Sequence, residues 1–258
     1  MIPNRVTKIQ VVAHRGASGY APETTLEAYR LALETGVDFV EMDVHMLRDG
    51  TPVAIHDADV KRTTNGKGRI SELTLAELKT LDAGSWFNRA YPQKARPEYI
   101  GLKVPTLEEV LKLTGGSSAG CYIEIKDPER YPPELESSVL SLVRKSRMEK
   151  RSRVISFSPT SIKKIKALDP SIQTGLLVSR RLGDPVRATI DVSADELAIR
   201  HDLVNAATVG SAHDKGLSVS VWTVDREQDM ERMIRMGVDR ITTDYPDLLL
   251  RLLGAAPR

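Results

Sequence analysis

Eight short runs rich in Val, Ile and Leu recur along this chain, separated by longer amphipathic stretches, and that alternation constrains the fold more than any other feature. The runs are KIQVVAH (8–14), DFVEMDVHM (38–46), CYIEIK (121–126), RVISFS (153–158), IQTGLLVS (172–179), ELAIR (196–200), LSVSVWTV (217–224) and DRITTD (239–244). Runs of this length and composition fit parallel strands buried on both faces. The stretches between them, among them TTLEAYRLALETG, PELESSVLSLVRKS, TSIKKIKALDP and DREQDMERMIRMG, carry helical spacing, a capping residue and in several cases a closing Gly or Pro. Gly36, Gly216 and Gly237 each stand just before a strand, where a helix-to-strand loop needs one. Eight such units predict an α/β protein of the (β/α)8 TIM-barrel class, with a doubly wound open sheet as competitor. An aromatic content of only 5% leaves the core to aliphatic side chains, which suits buried parallel strands better than a β-sandwich. No repeat, low-complexity tract or linker divides the chain, so residues 1–258 read as one domain.

One interruption breaks the rhythm. A turn, LRDG, leads from the second run into TPVAIHD (51–57), an apparent hairpin partner, and the alternation resumes only at the helix TLEEVLKLTG (106–115). Within the gap, SELTLAELKTLDAG (71–84) reads as a helix with a Ser or Thr cap, and WFNRAYPQKARPEY is polar and Pro-bearing. Loops this long are usually functional or carry their own small structure. Residues 58–105 are therefore expected to form an insertion on the loop face of the barrel.

Composition narrows the partners. The 37 Lys and Arg nearly balance the 35 Asp and Glu, and a formal charge of +2 argues against a nucleic-acid surface or a polybasic membrane anchor. A small-molecule partner is expected. The single cysteine, Cys121, allows no disulfide framework within the chain and no zinc cluster, so a bound metal would need oxygen or imidazole ligands. The N-terminal MIPNRVTKIQVVAHRG has no apolar stretch of signal-peptide length, and no run of roughly 18 apolar residues occurs, which predicts a cytoplasmic protein without stable membrane insertion.

In a TIM barrel, chemistry sits at the C-terminal ends of the strands. The first strand ends in His14-Arg15-Gly16, the second places Glu41 and Asp43 on one face, the hairpin strand ends in His56-Asp57, and the third barrel strand alternates Tyr122, Glu124 and Lys126. Unpaired carboxylates in a strand buried on both faces are costly. A divalent cation relieves that cost, and the hard oxygen set Glu41, Asp43 and Glu124 suits Mg²⁺ or Ca²⁺. Neutralisation by Lys126 is the plainer alternative. His14 and His56 end adjacent units beside these acids, as an acid and base pair would. His45 shares the parity of Glu41 and Asp43 but reads as a turn residue, and His201 and His213 read as structural. Arg15 suits an anionic oxygen through its guanidinium fork, with backbone N–H groups of Gly16, Gly19 and the Glu23-Thr24-Thr25 helix start nearby.

The motifs H-R-G (14–16), P-E-T-T (22–25), E-x-D-V (41–44), I-H-D (55–57), R-T-T-N-G-K-G (62–68), L-T-L-A-E-L-K-x-L-D-A-G-x-W-F (73–87), P-T-L-E-E-V-L (105–111), E-I-K (124–126), S-F (156–157), V-W-T-V (221–224) and I-T-T-D-Y-P (241–246) together resemble the glycerophosphodiester phosphodiesterases across nearly the whole chain. The resemblance implies a TIM barrel with a segment inserted after the His-Asp strand, and hydrolysis of a glycerophosphodiester to sn-glycerol 3-phosphate and an alcohol. It implies that Glu41, Asp43 and Glu124 ligate a divalent metal, that His14 and His56 act as acid and base, and that Arg15 and Lys126 contact the phosphate. It also favours Trp222 as a wall against the glycerol or alcohol, with Phe157 and Tyr20 as weaker candidates. Two positions depart from the family pattern: Thr24 stands where Asn is usual, and Leu47 where Thr is usual. Asp244 is expected to form a turn before Tyr245-Pro246. The rival readings are a related diesterase acting on lysophospholipids or glycerophosphoinositol, an enolase-type barrel, and a non-catalytic binder of phosphate ligands. The enolase reading wants acids where the strands end SFS and LVS, and a binder has no need of two imidazoles.

Overall fold

The computed structural model describes residues 9–126 and 134–254. Residues 1–8, which include half of the N-terminal stretch read above and the first residue of the first run, and Pro133, which opens one predicted helix, lie outside them. The strands are β1 (Gln10–Ala13), β2 (Phe39–Met46), β3 (Pro52–Ala54), β4 (Gly120–Ile125), β5 (Ser152–Ser156), β6 (Gln173–Val178), β7 (Glu196–Arg200), β8 (Ser218–Trp222) and β9 (Arg240–Thr243). Among these strands every pairing but one is parallel. The order β1-β9-β8-β7-β6-β5-β4-β2 closes on itself because β1 also pairs with β2, and β3 is the antiparallel hairpin partner of β2. This is the TIM barrel expected from the alternation.

Helices α1 (Leu26–Glu34), α4 (Leu107–Gly115), α5 (Leu135–Lys145), α6 (Pro159–Leu168), α7 (Pro185–Asp191), α8 (Ala206–Asp214), α9 (Glu227–Met236) and α10 (Pro246–Leu252) follow the strands, and α2 (Leu75–Thr80) and α3 (Ser85–Ala90) lie in the insertion. Several begin where the sequence supplies a cap: the side chains of Thr25, Ser158 and Asn205 each accept an N–H from the first turn. Val40, Met42 and Val44 of β2 and Cys121 and Ile123 of β4 pack with Leu107, Val110, Val139 and Ile162 of the helices in one continuous core. The alternate residues of the same strands must therefore point into the barrel. Val12, Tyr122, Ile155, Leu177 and Ala198 form a separate cluster there, with Phe39 and Trp222 packed against it.

Residues 58–105 run between β3 and α4. The helix expected over 71–84 is shorter: Ile70–Glu72 form a 3-10 turn, and α2 starts at the capping box of Thr74 and Glu77. Pairing explains the break, because the Arg48 N–H donates to the carbonyl of Leu73 (2.9 Å) and holds that residue extended. The stretch read as polar also hides two aromatics, Phe87 and Tyr99, which pack on Ala21 and Ala28. Lys94 reaches back across the barrel mouth, donates to the carbonyl of Gly19 (2.6 Å) and sits over the rings of Tyr20, Tyr91 and Tyr245.

Near the N-terminal end of β7, the barrel interior holds a buried charge. Glu196 accepts from Tyr122 (2.8 Å), Ser220 (2.8 Å) and Arg240 (2.6 Å), with Arg153 3.8 Å away. Removing one partner of a buried pair leaves an uncompensated charge, so Arg240→Met should destabilise the protein by about 3–5 kcal/mol in urea unfolding. A loss below about 1 kcal/mol would mean that Arg153 moves in to replace it.

Candidate active site

The register of two strands builds the acidic cluster. Asp43 of β2 lies directly across from Glu124 of β4, and Glu41, two residues earlier, shares its inward face. One carboxylate oxygen from each of Glu41, Asp43 and Glu124 lies within 4.8 Å of the other two. β1 runs on the other side of β2, with Ala13 opposite Val40, so His14 and Arg15 emerge beside Glu41. The chain then turns through two successive positive φ angles, 55° at Arg15 and 83° at Gly16. That turn aims the Arg15 N–H at Glu41 Oε2 (2.9 Å). A Cβ on Gly16 would lie 2.5 Å from the backbone of Ala28, so close packing and dihedral both demand glycine.

Two cations share this site with the three acids. Lys126 Nζ is 2.9 Å from Asp43 Oδ1 and 2.6 Å from Glu124 Oε1, and Arg15 Nε is 3.1 Å from Asp43 Oδ2. Both oxygens of Asp43 and one of Glu124 are buried, and these two cations are what they face. Buried oxygens of that kind are what a hard divalent cation would satisfy. The residues present fit such an ion. Burial and the charge of Asp43 push Glu41 up to about 7, and burial, against the pull of Lys126, pushes Glu124 up to about 8. Asp43 is buried too, but Lys126 and Arg15 hold it well below the usual carboxylate range.

Each imidazole has its own carboxylate. His14 Nδ1 lies 2.6 Å from Asp244 Oδ1, and His56 Nδ1 lies 2.6 Å from Asp57 Oδ1. An ionised carboxylate only accepts, so both bonds fix the proton on Nδ1 and leave Nε2 for chemistry. Asp244 also accepts from Ser18 (2.9 Å), and its N–H donates to Asp225 (2.9 Å). Asp244 is thus more than the turn residue expected: β9 pairs with β1 and delivers it to His14. His45 is likewise no turn residue. It is buried within β2, and its Nε2–H donates to the carbonyl of His56 (3.0 Å). His56 and Asp57 themselves stand just beyond β3 rather than inside the strand.

The environments move the two rings in opposite directions. Burial and Arg15 lower the pKa of His14, but the bond to Asp244 and the charges of Glu41 and Asp244 outweigh them and raise it above 6.5. Burial, with Arg15 and Lys126, lowers His56 below 6.5 against the pull of Asp43 and Asp57. Cys121 is no rival nucleophile, since burial pushes its thiol up to about 12.

His14, Glu41, Glu124 and Trp222 line one cavity at the barrel mouth together with Tyr122, Ile155, Leu177, Ala198, Ser220 and Thr242. Arg15, Asp43 and Lys126 join it through the ion pairs above. Trp222 is half-buried and donates Nε1–H to the carbonyl of Ala198 (3.1 Å), while Phe157, 43% exposed, meets it edge to face at 5.6 Å. His201 and His213 lie elsewhere, His201 against Arg232 and His213 against Asp239. Thr24 has a φ of 55°, a conformation in which Asn is enriched and a β-branched residue is an outlier, which explains why Asn suits that position. Leu47 is buried in the small core of the insertion with Val53, Val60 and Ile70. Sequence reading gave the side chains of Glu23 and Arg62 no role of their own. Glu23 accepts from Arg15 Nη1 (2.9 Å) and from both terminal nitrogens of Arg62 (2.8 Å each).

The sequence profile of the glycerophosphoryl diester phosphodiesterase family matches residues 14–248. A glycerophosphodiester phosphodiesterase of Bacillus subtilis is 41% identical over 250 residues, spanning 93% of this chain and 85% of that protein. One from Caldanaerobacter subterraneus is 37% identical over 246 residues, spanning 95% and 98%. The solved structure of an Oleispira antarctica phosphodiesterase in complex with the product sn-glycerol-3-phosphate superposes with a TM-score of 0.88 at 31% identity, covering 95% of this chain and 97% of that one. Agreement of that extent in both sequence and fold means that the chain belongs to the glycerophosphoryl diester phosphodiesterase family.

Proposed function

We propose that the protein hydrolyses glycerophosphodiesters to sn-glycerol 3-phosphate and an alcohol. The observation that carries this reading is the pair of imidazoles, each oriented by its own carboxylate, shifted in opposite directions in pKa, and both acting electrostatically on the buried Asp43 of the carboxylate cluster. Groups whose environments separate their pKa values take the opposite roles of acid and base. His56, whose pKa is lowered, removes through Nε2 the proton of the attacking water, or of the glycerol 2-hydroxyl, in which case a water then opens the cyclic phosphate to sn-glycerol 3-phosphate. His14, whose pKa is raised, gives its Nε2 proton to the departing alcohol oxygen. Arg15 and Lys126 bind the phosphodiester oxygens, and Trp222 with Phe157 forms an apolar wall for the glycerol carbons. Glu41, Asp43 and Glu124 would hold the ion, Mg²⁺ or Ca²⁺ from their all-oxygen donor set. Bound there, a divalent cation supplies Lewis-acid polarisation of the phosphodiester.

The relative from Oleispira antarctica bound to sn-glycerol-3-phosphate supports recognition of the glycerophosphate half of the substrate. We also read the barrel and its insertion at 58–105 as a single domain acting on a small molecule in a reducing cytoplasm, where a lone buried cysteine stays a thiol. No helix among the described residues is long and apolar enough to cross a membrane.

The test is release of glycerol 3-phosphate from glycerophosphocholine, with and without chelator. Since the charged groups complement the phosphate and none reads a head-group cation, glycerophosphocholine, glycerophosphoethanolamine and glycerophosphoglycerol should give kcat/KM values within about tenfold, or about 1.4 kcal/mol. Bis(p-nitrophenyl) phosphate lacks the glycerol and should be a poor substrate despite its better leaving group. Brisk hydrolysis of that diester, or a strong preference for one head group, would place specificity elsewhere.

A further inference from the structure

We propose that Arg62, from the insertion, is a positioning residue that braces both halves of the active site at once; the proposal rests on the phosphodiesterase reading above. Arg62 Nε and Nη2 donate to the two oxygens of Asp57 (2.7 and 3.1 Å), and Nη1 and Nη2 donate to the two oxygens of Glu23 (2.8 Å each). Asp57 in turn holds the His56 ring, and Glu23 holds Nη1 of Arg15. One guanidinium therefore fixes the carboxylate behind the proposed base and the carboxylate behind the proposed phosphate ligand. Its planar fork alone allows this, because a lysine ammonium is a single point charge and cannot pair two carboxylates edge-on.

The backbone that carries Arg62 is itself pinned. Thr63 and Thr64 are buried, Thr64 Oγ1 donates to the carbonyl of Val60 (2.6 Å) and accepts from the Gly66 N–H (2.9 Å), and Asn65 and Asp82 exchange two hydrogen bonds (2.8 and 3.1 Å). A site is precise only when such a supporting shell is rigid. The Arg62 side chain is 43% exposed. Ion pairs at that exposure add little to stability, so loss of Arg62 should be felt in the site rather than in the fold.

The experiment compares wild type, Arg62→Lys and Arg62→Ala. Turnover of glycerophosphocholine should fall about 10- to 100-fold in both variants, as when a support behind a site residue is lost. Melting temperature should stay within a few degrees of wild type. Lysine should fail to rescue, whereas added guanidinium ion should restore part of the rate of Arg62→Ala. A second arm needs no turnover: the His56 Nδ1–H proton resonance, identified by its loss in Asp57→Asn, should shift or broaden in Arg62→Lys. Wild type that leaves glycerophosphocholine intact sinks the diesterase reading and leaves the resonance to decide on Arg62. Wild-type rates in Arg62→Lys, or an unchanged His56 resonance, would overturn the proposal.

Discussion

His56→Ala should lower kcat by at least about a hundredfold, the lower end of what a positioned general base contributes. The ring is partly exposed beyond β3, so its removal should leave the melting temperature near that of wild type. His14→Ala should lose as much, but for a different proton, and the pH profile of kcat/KM separates the two. His56 works unprotonated and its pKa is lowered, so activity should fall on the acid side as pH drops below about 6.5 through that pKa. His14 works protonated and its pKa is raised, so activity should fall on the alkaline side as pH climbs above about 6.5 through its own. The result is a bell whose limbs report coupled ionisations. Asp244→Asn keeps the side chain's shape but removes the charge that raises His14, so the alkaline limb should move to lower pH while the acid limb stays. Two variants with near-normal rates, or a bell that Asp244→Asn leaves in place, would remove the assignment.

Asp244 also shows where the sequence stops being legible. The carboxylate triad could be read early, because strand parity has a period of two and the aliphatic neighbours Val40, Met42 and Val44 declare which face meets the helices. The partnership of His14 with Asp244 spans 230 positions and exists only because β9 closes the barrel against β1. No local pattern carries that pairing. Arg62 and Glu23 present the same problem over 39 residues, across two irregular loops with no periodicity to reveal facing side chains. In the insertion, Phe87 and Tyr99 looked like parts of a polar, Pro-bearing loop. Their burial depends on contact with Ala21 and Ala28 of the first β-to-α unit, where alanines leave room for two rings. The eight buried strands were legible for the opposite reason, since each declares itself within a few residues.

Glu124→Gln should abolish nearly all turnover and yet make the metal-free protein more stable at pH 8. The two effects have one cause. In the metal-free site, burial keeps Glu124 protonated up to about 8 and Glu41 up to about 7, whereas in the unfolded chain both ionise near 4.5. Between about pH 4.5 and 8 these two carboxyls therefore hold more protons in the folded than in the unfolded state, and their contribution to stability declines as pH rises through that window. A glutamine mimics the protonated carboxyl at every pH, so Glu124→Gln should flatten the decline. The comparison between variant and wild type isolates this group from the other titrating side chains. A divalent cation relieves the same strain by displacing the protons, so its binding at pH 6.5 should release protons, and it should raise the melting temperature more at pH 8 than at pH 6. At a hundredfold excess over its Kd the gain is about 2.7 kcal/mol. Lys126 already lies against Glu124 and Asp43, and if it satisfied them completely no ion would be needed. Full turnover in the presence of chelator, an unchanged rate in Glu124→Gln, or a pH-independent metal shift would each show that the lysine alone serves these acids.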